Sequence, residues 1–156
     1  MSKSLKRVRA ALETHGIAVE IKEMAESTRT AQEAAAAAGC ALDQIVKSIM
    51  FRGENSGNLF LFLTAGGNQV CADKATALAG EPLGKADARL IRDQSGFAIG
   101  GVSPVGHLTP IRAFCDPRLN EFDLVWAAAG TPRHIFAAPP ADVIRASGAK
   151  LACFTA

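Results

Sequence analysis

Two stretches of this sequence carry residue types that could do chemistry. The first is Gly100-Gly101-Val102-Ser103-Pro104-Val105-Gly106-His107, which places three glycines and a proline between apolar segments. Glycine reaches positive φ and lets a ligand approach the main chain, while Pro104 fixes its own φ and holds Ser103 extended. The pattern predicts a stiff loop presenting amide N–H groups, donors suited to a phosphate or to the oxyanion of an acyl-transfer intermediate. A plain structural turn has the same composition, so the loop needs corroboration from elsewhere. The second stretch is Ile45-Val46-Lys47-Ser48-Ile49-Met50-Phe51. Period-2 geometry puts Lys47 on the face shared by Ile45, Ile49 and Phe51. An ammonium there requires a nearby anion or an opening to solvent, because unpartnered burial costs several kcal/mol or the proton itself. An edge strand whose lysine snorkels to water fits, and so does the floor of a site for phosphate, carbonyl or carboxylate.

Other catalytic devices are missing from the sequence. It contains neither a G-x-S-x-G elbow nor an H-E-x-x-H helix, and no base is evident beside Ser103. Cys40, Cys71, Cys115 and Cys153 are widely separated, with no C-x-x-C pair and no histidine at zinc-ligand spacing. They read as reduced, mostly buried thiols, and the expectation is no metal and no cofactor.

The elements that must position these groups follow from pattern. A chain of 156 residues with 49% hydrophobic and 21% charged residues is read as one globular domain spanning residues 1–156. The net charge of +2 does not announce a nucleic-acid partner, although Lys3, Lys6, Arg7 and Arg9 make the first helix basic, and Lys74, Lys85, Arg89 and Arg92 precede the glycine loop. Neither an export signal nor an apolar run of membrane-spanning length is present, so a cytoplasmic protein with no membrane association is expected. Helical spacing of Leu5, Val8 and Leu12 predicts a helix over 3–14, followed by a strand from Ile17 through Val19 to Ile21. Thr30-Ala31-Gln32-Glu33 is a capping box opening a helix over 31–38, with Gly39 closing it. Apolar runs over 45–52 and 59–64 around a polar, glycine-containing loop predict a hairpin. Short helices are expected over 74–78 and 86–93, strands over 111–115, 124–128 and 134–136, and a last helix begun by Pro140 and ended by Gly148. Helices scattered among strands imply an α/β fold around a mixed, curved, partly barrel-like sheet flanked by helices.

The ordered set Thr30-Ala31-Gln32-Glu33-Ala34-Ala35, Gln44-Ile45-Val46-Lys47-Ser48, Ser95-Gly96-Phe97 and Gly100-Gly101-Val102-Ser103-Pro104-Val105-Gly106 resembles the YbaK/ProX family of aminoacyl-tRNA deacylases. These are free-standing relatives of the editing domain inserted in bacterial prolyl-tRNA synthetases. The resemblance implies a hydrolase that removes small amino acids such as alanine, serine, cysteine or a short analogue from mischarged tRNA, with tRNA for proline as the first candidate. Its partners would be the acceptor end of aminoacyl-tRNA and prolyl-tRNA synthetase. Carried across, the family's catalytic lysine falls on Lys47 and its substrate loop on Gly100, Gly101, Ser103 and Pro104. The segment Ala129-Gly130-Thr131-Pro132-Arg133-His134-Ile135 departs from the family pattern, with His134 near a position that is usually acidic. Gly130 and His134 are therefore candidates for the pocket, and Thr28, just ahead of the capping box, for its rim.

Hydrolysis of an activated ester needs a positioned water and a stabilised oxyanion rather than a protein nucleophile. Amides around Gly100, Gly101 and Ser103 are expected to hold the carbonyl oxygen, and Lys47 to anchor a terminal phosphate or the acyl carbonyl. One such donor is worth about 3 kcal/mol. Two other readings use the same residues: a tRNA acceptor-end binding module without turnover, and a Schiff-base enzyme with Lys47 as the nucleophilic amine.

Overall fold

The computed structural model describes residues 2–25 and 30–156, so Thr28 lies outside the described residues. Helix α1, Lys3–Thr14, is capped by the Ser2 hydroxyl and buries Leu5, Val8 and Leu12. These three recur at helical spacing and form one apolar stripe. Strand β1 is only Ile21–Glu23, shorter and later than the alternation of Ile17, Val19 and Ile21 suggests. Ile17 instead returns its amide to the Leu12 carbonyl at 2.9 Å, which ends the helix rather than starting a strand. Helix α2, Ala31–Ala38, opens with the expected capping box: the Thr30 hydroxyl accepts from the Glu33 amide and the Glu33 carboxylate accepts from the Thr30 amide.

The hairpin of β2, Val46–Gly53, and β3, Leu59–Ala65, is the centre of the molecule. Helix α3, Ala72–Ala79, then leads to β4, Leu83–Lys85, and helix α4, Ala88–Ser95, leads into the glycine loop. After β5, Arg112–Cys115, come β6, Val125–Ala128, β7, His134–Ala138, α5, Pro140–Ser147, and the two-residue β8, Lys150–Leu151. One sheet has the order β4-β2-β3-β5-β8, antiparallel on the β4 side of β3 and parallel beyond it. The other, β1-β7-β6, is antiparallel throughout. The sheets touch at a bridge between Ile45 and Trp126 and do not close, so the curved mixed sheet stays open on that side.

Every residue of β3 is buried, because both of its faces are covered. Leu59, Leu61, Leu63 and Ala65 join the main core under α1, together with Val46 and Met50 of β2. Phe60 and Phe62 point the other way into an aromatic cluster, where Phe62 stacks on Phe114 at 5.3 Å and meets the Phe154 ring edge-on at 5.0 Å. Among the described residues, no helix is long and apolar enough to cross a membrane.

One detail of the topology creates the site. Strand β4 pairs with β2 only at Phe51, Arg52 and Gly53. Among the described residues, the first half of β2 therefore pairs with no strand along its outer edge, apart from the bridge of Ile45 with Trp126.

Candidate functional site

A cavity of about 460 Å³ fills that gap. Its floor is β2 from Val46 to Met50, and its walls are Trp126, Ala127 and Ala128 of β6 with Ile135 of β7. Thr30, Ala31 and Ala34 close one side, Lys85, Ala86 and Ile91 another, and Ile99, Gly100 and Val102 bring in the glycine loop. The volume lies within the ~300–1,000 Å³ range of small-molecule sites, and the lining is mostly apolar, as such sites are.

Lys47 is half-buried in this lining. It stands opposite Thr64 in the hairpin register, and its ammonium donates to the Asn68 carbonyl at 2.5 Å. The Asn68 side-chain amide in turn donates to Asp116 at 2.8 Å. Asp116 is 2% exposed and also accepts from the Ala65 and Arg118 amides at 3.1 and 2.9 Å. Asp43 receives the Gly67 amide at 2.8 Å and the Arg118 guanidinium at 3.0 Å. Burial pulls the Lys47 pKa down from its ordinary value, and the nearby Asp43 and Asp116 carboxylates push back. The Asp43 and Asp116 carboxylates thus supply nearby negative charge, while the direct partner of the ammonium is the Asn68 carbonyl. An ammonium has three protons to donate, so one bond to Asn68 leaves two for a ligand.

The glycine loop departs from the sequence expectation. Residues 101–105 are buried, with Ser103 at 0% exposure, rather than displayed to solvent. The Ser103 hydroxyl accepts from the Val105 amide at 3.2 Å, a local turn bond, and Pro104 is packed inside. The Gly101 amide donates to the Ala98 carbonyl at 3.0 Å. Gly101 cannot be larger: a Cβ there would lie 2.7 Å from Thr131 Cα and 2.8 Å from its carbonyl carbon. Gly100 and Val102, by contrast, line the cavity, and among the described residues their amides have no partner. The structure thus brings Lys47 and Gly100 to one cavity and leaves Gly101, Ser103 and Pro104 buried outside its lining.

Gly130 and His134 also lie outside that lining. Gly130, at φ +97°, packs against the Ser4 carbonyl of α1. His134 Nδ1 lies 2.6 Å from the Thr131 hydroxyl, which also accepts from the Arg133 amide at 3.2 Å. Its neighbour Ile135, and not His134 itself, reaches the cavity.

Sequence reasoning passed over Ser48, Trp126 and Thr30 as walls of a site. Ser48 carried a readable signal, a hydroxyl at the same strand parity as Val46 and Met50 and so on the core face. Its Oγ is buried and, among the described residues, has no hydrogen-bond partner. Among the described residues, no group of histidine, cysteine and acidic side chains could hold a metal ion.

Comparison with known proteins gives this geometry a context. Residues 25–146 match the family model of the aminoacyl-tRNA editing domain. A solved structure described as "a putative trans-editing enzyme for prolyl tRNA synthetase" is 46% identical, superimposes with a TM-score of 0.92, and is matched over 99% of its length by 100% of this chain. The structure of the hypothetical protein APE2540 is 26% identical with a TM-score of 0.88, covering 96% of this chain and 99% of that one. The uncharacterized protein YwhH of Bacillus subtilis (strain 168) is 28% identical over 148 residues, 95% of this chain and 94% of the relative.

Proposed function

The chain belongs to the aminoacyl-tRNA editing domain family, and on that premise we propose that it is a trans-editing deacylase that hydrolyses the ester of tRNA charged with a small wrong amino acid. The observation that carries the reading is that Lys47, Gly100 and Val102 line one cavity, the Gly100 and Val102 amides having no partner among the described residues. An aminoacyl ester presents a carbonyl that becomes an oxyanion when water adds. Fixed main-chain donors lower the energy of that charge more than of the neutral carbonyl, and this difference is what accelerates the reaction.

In this reading Gly100 and Val102 supply the donors. Gly101, held by Ala98 and pressed against Thr131, keeps those two amides in place. Lys47 anchors a phosphate or the acyl carbonyl of the acceptor end with the protons left free by Asn68. The attacking water is activated by the substrate's own ribose hydroxyl. Ser103 is no nucleophile, because its hydroxyl is sealed and bound to the Val105 amide.

The apolar walls Ala127, Ile135 and Val46 favour a small acyl side chain. Alanine, serine, cysteine or a short analogue would enter, with discrimination of about 1–3 kcal/mol per methylene. The relative described as serving prolyl-tRNA synthetase supports tRNA for proline as the carrier and that synthetase as the source of the error. Such an enzyme works in the cytoplasm, where tRNA is charged.

The test is a deacylation panel: tRNA charged with proline, alanine, serine or cysteine, with the release rate compared with spontaneous hydrolysis. The expected result is acceleration for at least one small amino acid and none for proline. Spontaneous rates throughout would leave only an acceptor-end binding module. Borohydride trapping of a carbonyl compound on Lys47 would instead identify a Schiff-base enzyme.

A further inference from the structure

Helix α1 precedes the segment that matches the editing-domain model, yet it touches both ends of the glycine loop inside that segment. The contact is made by Arg7, on the flank of the buried stripe of Leu5, Val8 and Leu12. Its Nη2 donates to the Gly96 carbonyl at 2.8 Å and its Nε to the Gly106 carbonyl at 3.2 Å. The same guanidinium lies 5.0 Å above the ring of Phe97, which is fully buried. Gly96 and Gly106 bracket the stretch that holds Gly100, Gly101, Val102, Ser103 and Pro104. One side chain therefore ties together both ends of the loop.

The main chain of α1 reinforces the tie. A Cβ on Gly106 would lie 3.1 Å from the Arg7 carbonyl oxygen and 3.2 Å from Val8 Cα, so the loop sits directly on the helix backbone. Gly96 is also the C-cap of α4, where unpaired carbonyls concentrate negative charge and a cation is favoured. Charge-assisted bonds of this kind are roughly twice as strong as neutral ones. The planar fork of arginine reaches two separated carbonyls while stacking on a ring, which the point charge of a lysine does not reproduce.

We infer that Arg7 is a positioning residue for the editing reaction: its guanidinium clasps the Gly96 and Gly106 carbonyls and so fixes the unpartnered amides of Gly100 and Val102 on the cavity wall. The inference rests on the deacylase reading for its effect on rate, while the clasp itself is a property of the loop. It makes α1 part of the machinery rather than a cover for the core. Arg7 does not line the cavity that holds Lys47 and Gly100, so its loss should act on the chemical step and leave substrate affinity nearly intact.

The test compares wild type with Arg7→Met, which keeps the stem, and Arg7→Lys. Single-turnover deacylation of mischarged tRNA separates the maximal rate from the tRNA concentration at half-maximum. The expected result is a maximal rate at least ~10-fold lower in both variants with a half-maximum within about twofold, and partial recovery of Arg7→Met by millimolar methylguanidinium. Amide hydrogen exchange supplies an activity-independent reading. Residues 96–106 should exchange at least ~10-fold faster in Arg7→Met while β2 and β3 are unchanged. Unchanged loop exchange would overturn the clasp. So would a rate loss that methylguanidinium fails to restore and that follows the fall in Tm. If wild-type protein deacylates nothing, the proposed function fails, and the exchange measurement still decides whether Arg7 holds the loop.

Discussion

Replacing His107 with leucine should flatten the acid limb of the stability curve. Both ring nitrogens of His107 are buried without a hydrogen-bond partner among the described residues, and the ring meets Phe97 edge-on at 5.3 Å. Burial is the main reason its pKa falls from 6.5 to about 4; the Arg7 charge adds to the fall, against the pull of the Ser103 and Pro104 carbonyls. Above pH 6.5 the imidazole is neutral in both the folded and the unfolded chain, and it contributes no pH dependence. As the pH drops below 6.5 the unfolded chain takes up the proton, and the folded one does not until about pH 4. Stability is therefore fully present above pH 6.5 and is lost progressively as the pH falls through about 4. The gap between the two values is worth on the order of 3 kcal/mol in all, of which about 2 kcal/mol is gone at pH 5. Urea unfolding at pH 7.5 and pH 5.0 measures it, with the variant cancelling every other titrating group. Wild type should lose about 2 kcal/mol more than His107→Leu between the two pH values. Equal losses would show that the imidazole already accepts its proton in the folded state and would refute the argument.

Gly101→Ala forces a methyl against main-chain atoms of Thr131 that cannot swing away. It should cost about 1–3 kcal/mol in thermal unfolding and cut deacylation more than 10-fold; wild-type values for both would show that the two loops can part freely. Thr30→Ala removes the hydroxyl that accepts from the Glu33 amide and so half of the capping box of α2. The expected loss is about 1 kcal/mol, read as a Tm lower by roughly 2–4 °C, and an unchanged Tm would mean that the cap adds nothing in this context.

Local signals made some elements legible in the sequence. The stripe of α1 and the capping box of α2 give Lys3–Thr14 and Ala31–Ala38 residue for residue, because both depend on neighbours within one or two turns. The hairpin is equally plain, since two apolar runs flank a polar loop. Strand β4 was not visible: Leu83-Gly84-Lys85 has no strand pattern and is extended only because it pairs with Phe51, Arg52 and Gly53 some thirty residues earlier. Likewise, β1 begins at Ile21 because that is where β7 starts to pair with it, not where the apolar alternation begins.

The site divides in the same way. Lys47 betrays itself as a charge on an apolar strand, and Gly100 as part of a glycine run. Trp126 and Thr30 become walls only because the fold leaves half of β2 without a neighbouring strand and sets these residues around the gap. The burial of residues 101–105 was illegible for a related reason. Glycine-rich composition predicts an approachable backbone, but here what approaches that backbone is the protein itself, through α1 and Thr131.

Lys47 is the residue on which the proposed site depends most directly. Release of alanine, serine or cysteine from mischarged tRNA should be measured at saturating enzyme for wild type and Lys47→Met, beside an enzyme-free control. Wild type should accelerate at least one of the three, and Lys47→Met should lose about 100-fold of that rate if its ammonium holds the acyl carbonyl, the scale of removing one donor from that oxygen as it becomes an oxyanion. A wild-type rate equal to the enzyme-free control for all three would contradict the hydrolase. A full rate in Lys47→Met would contradict the site.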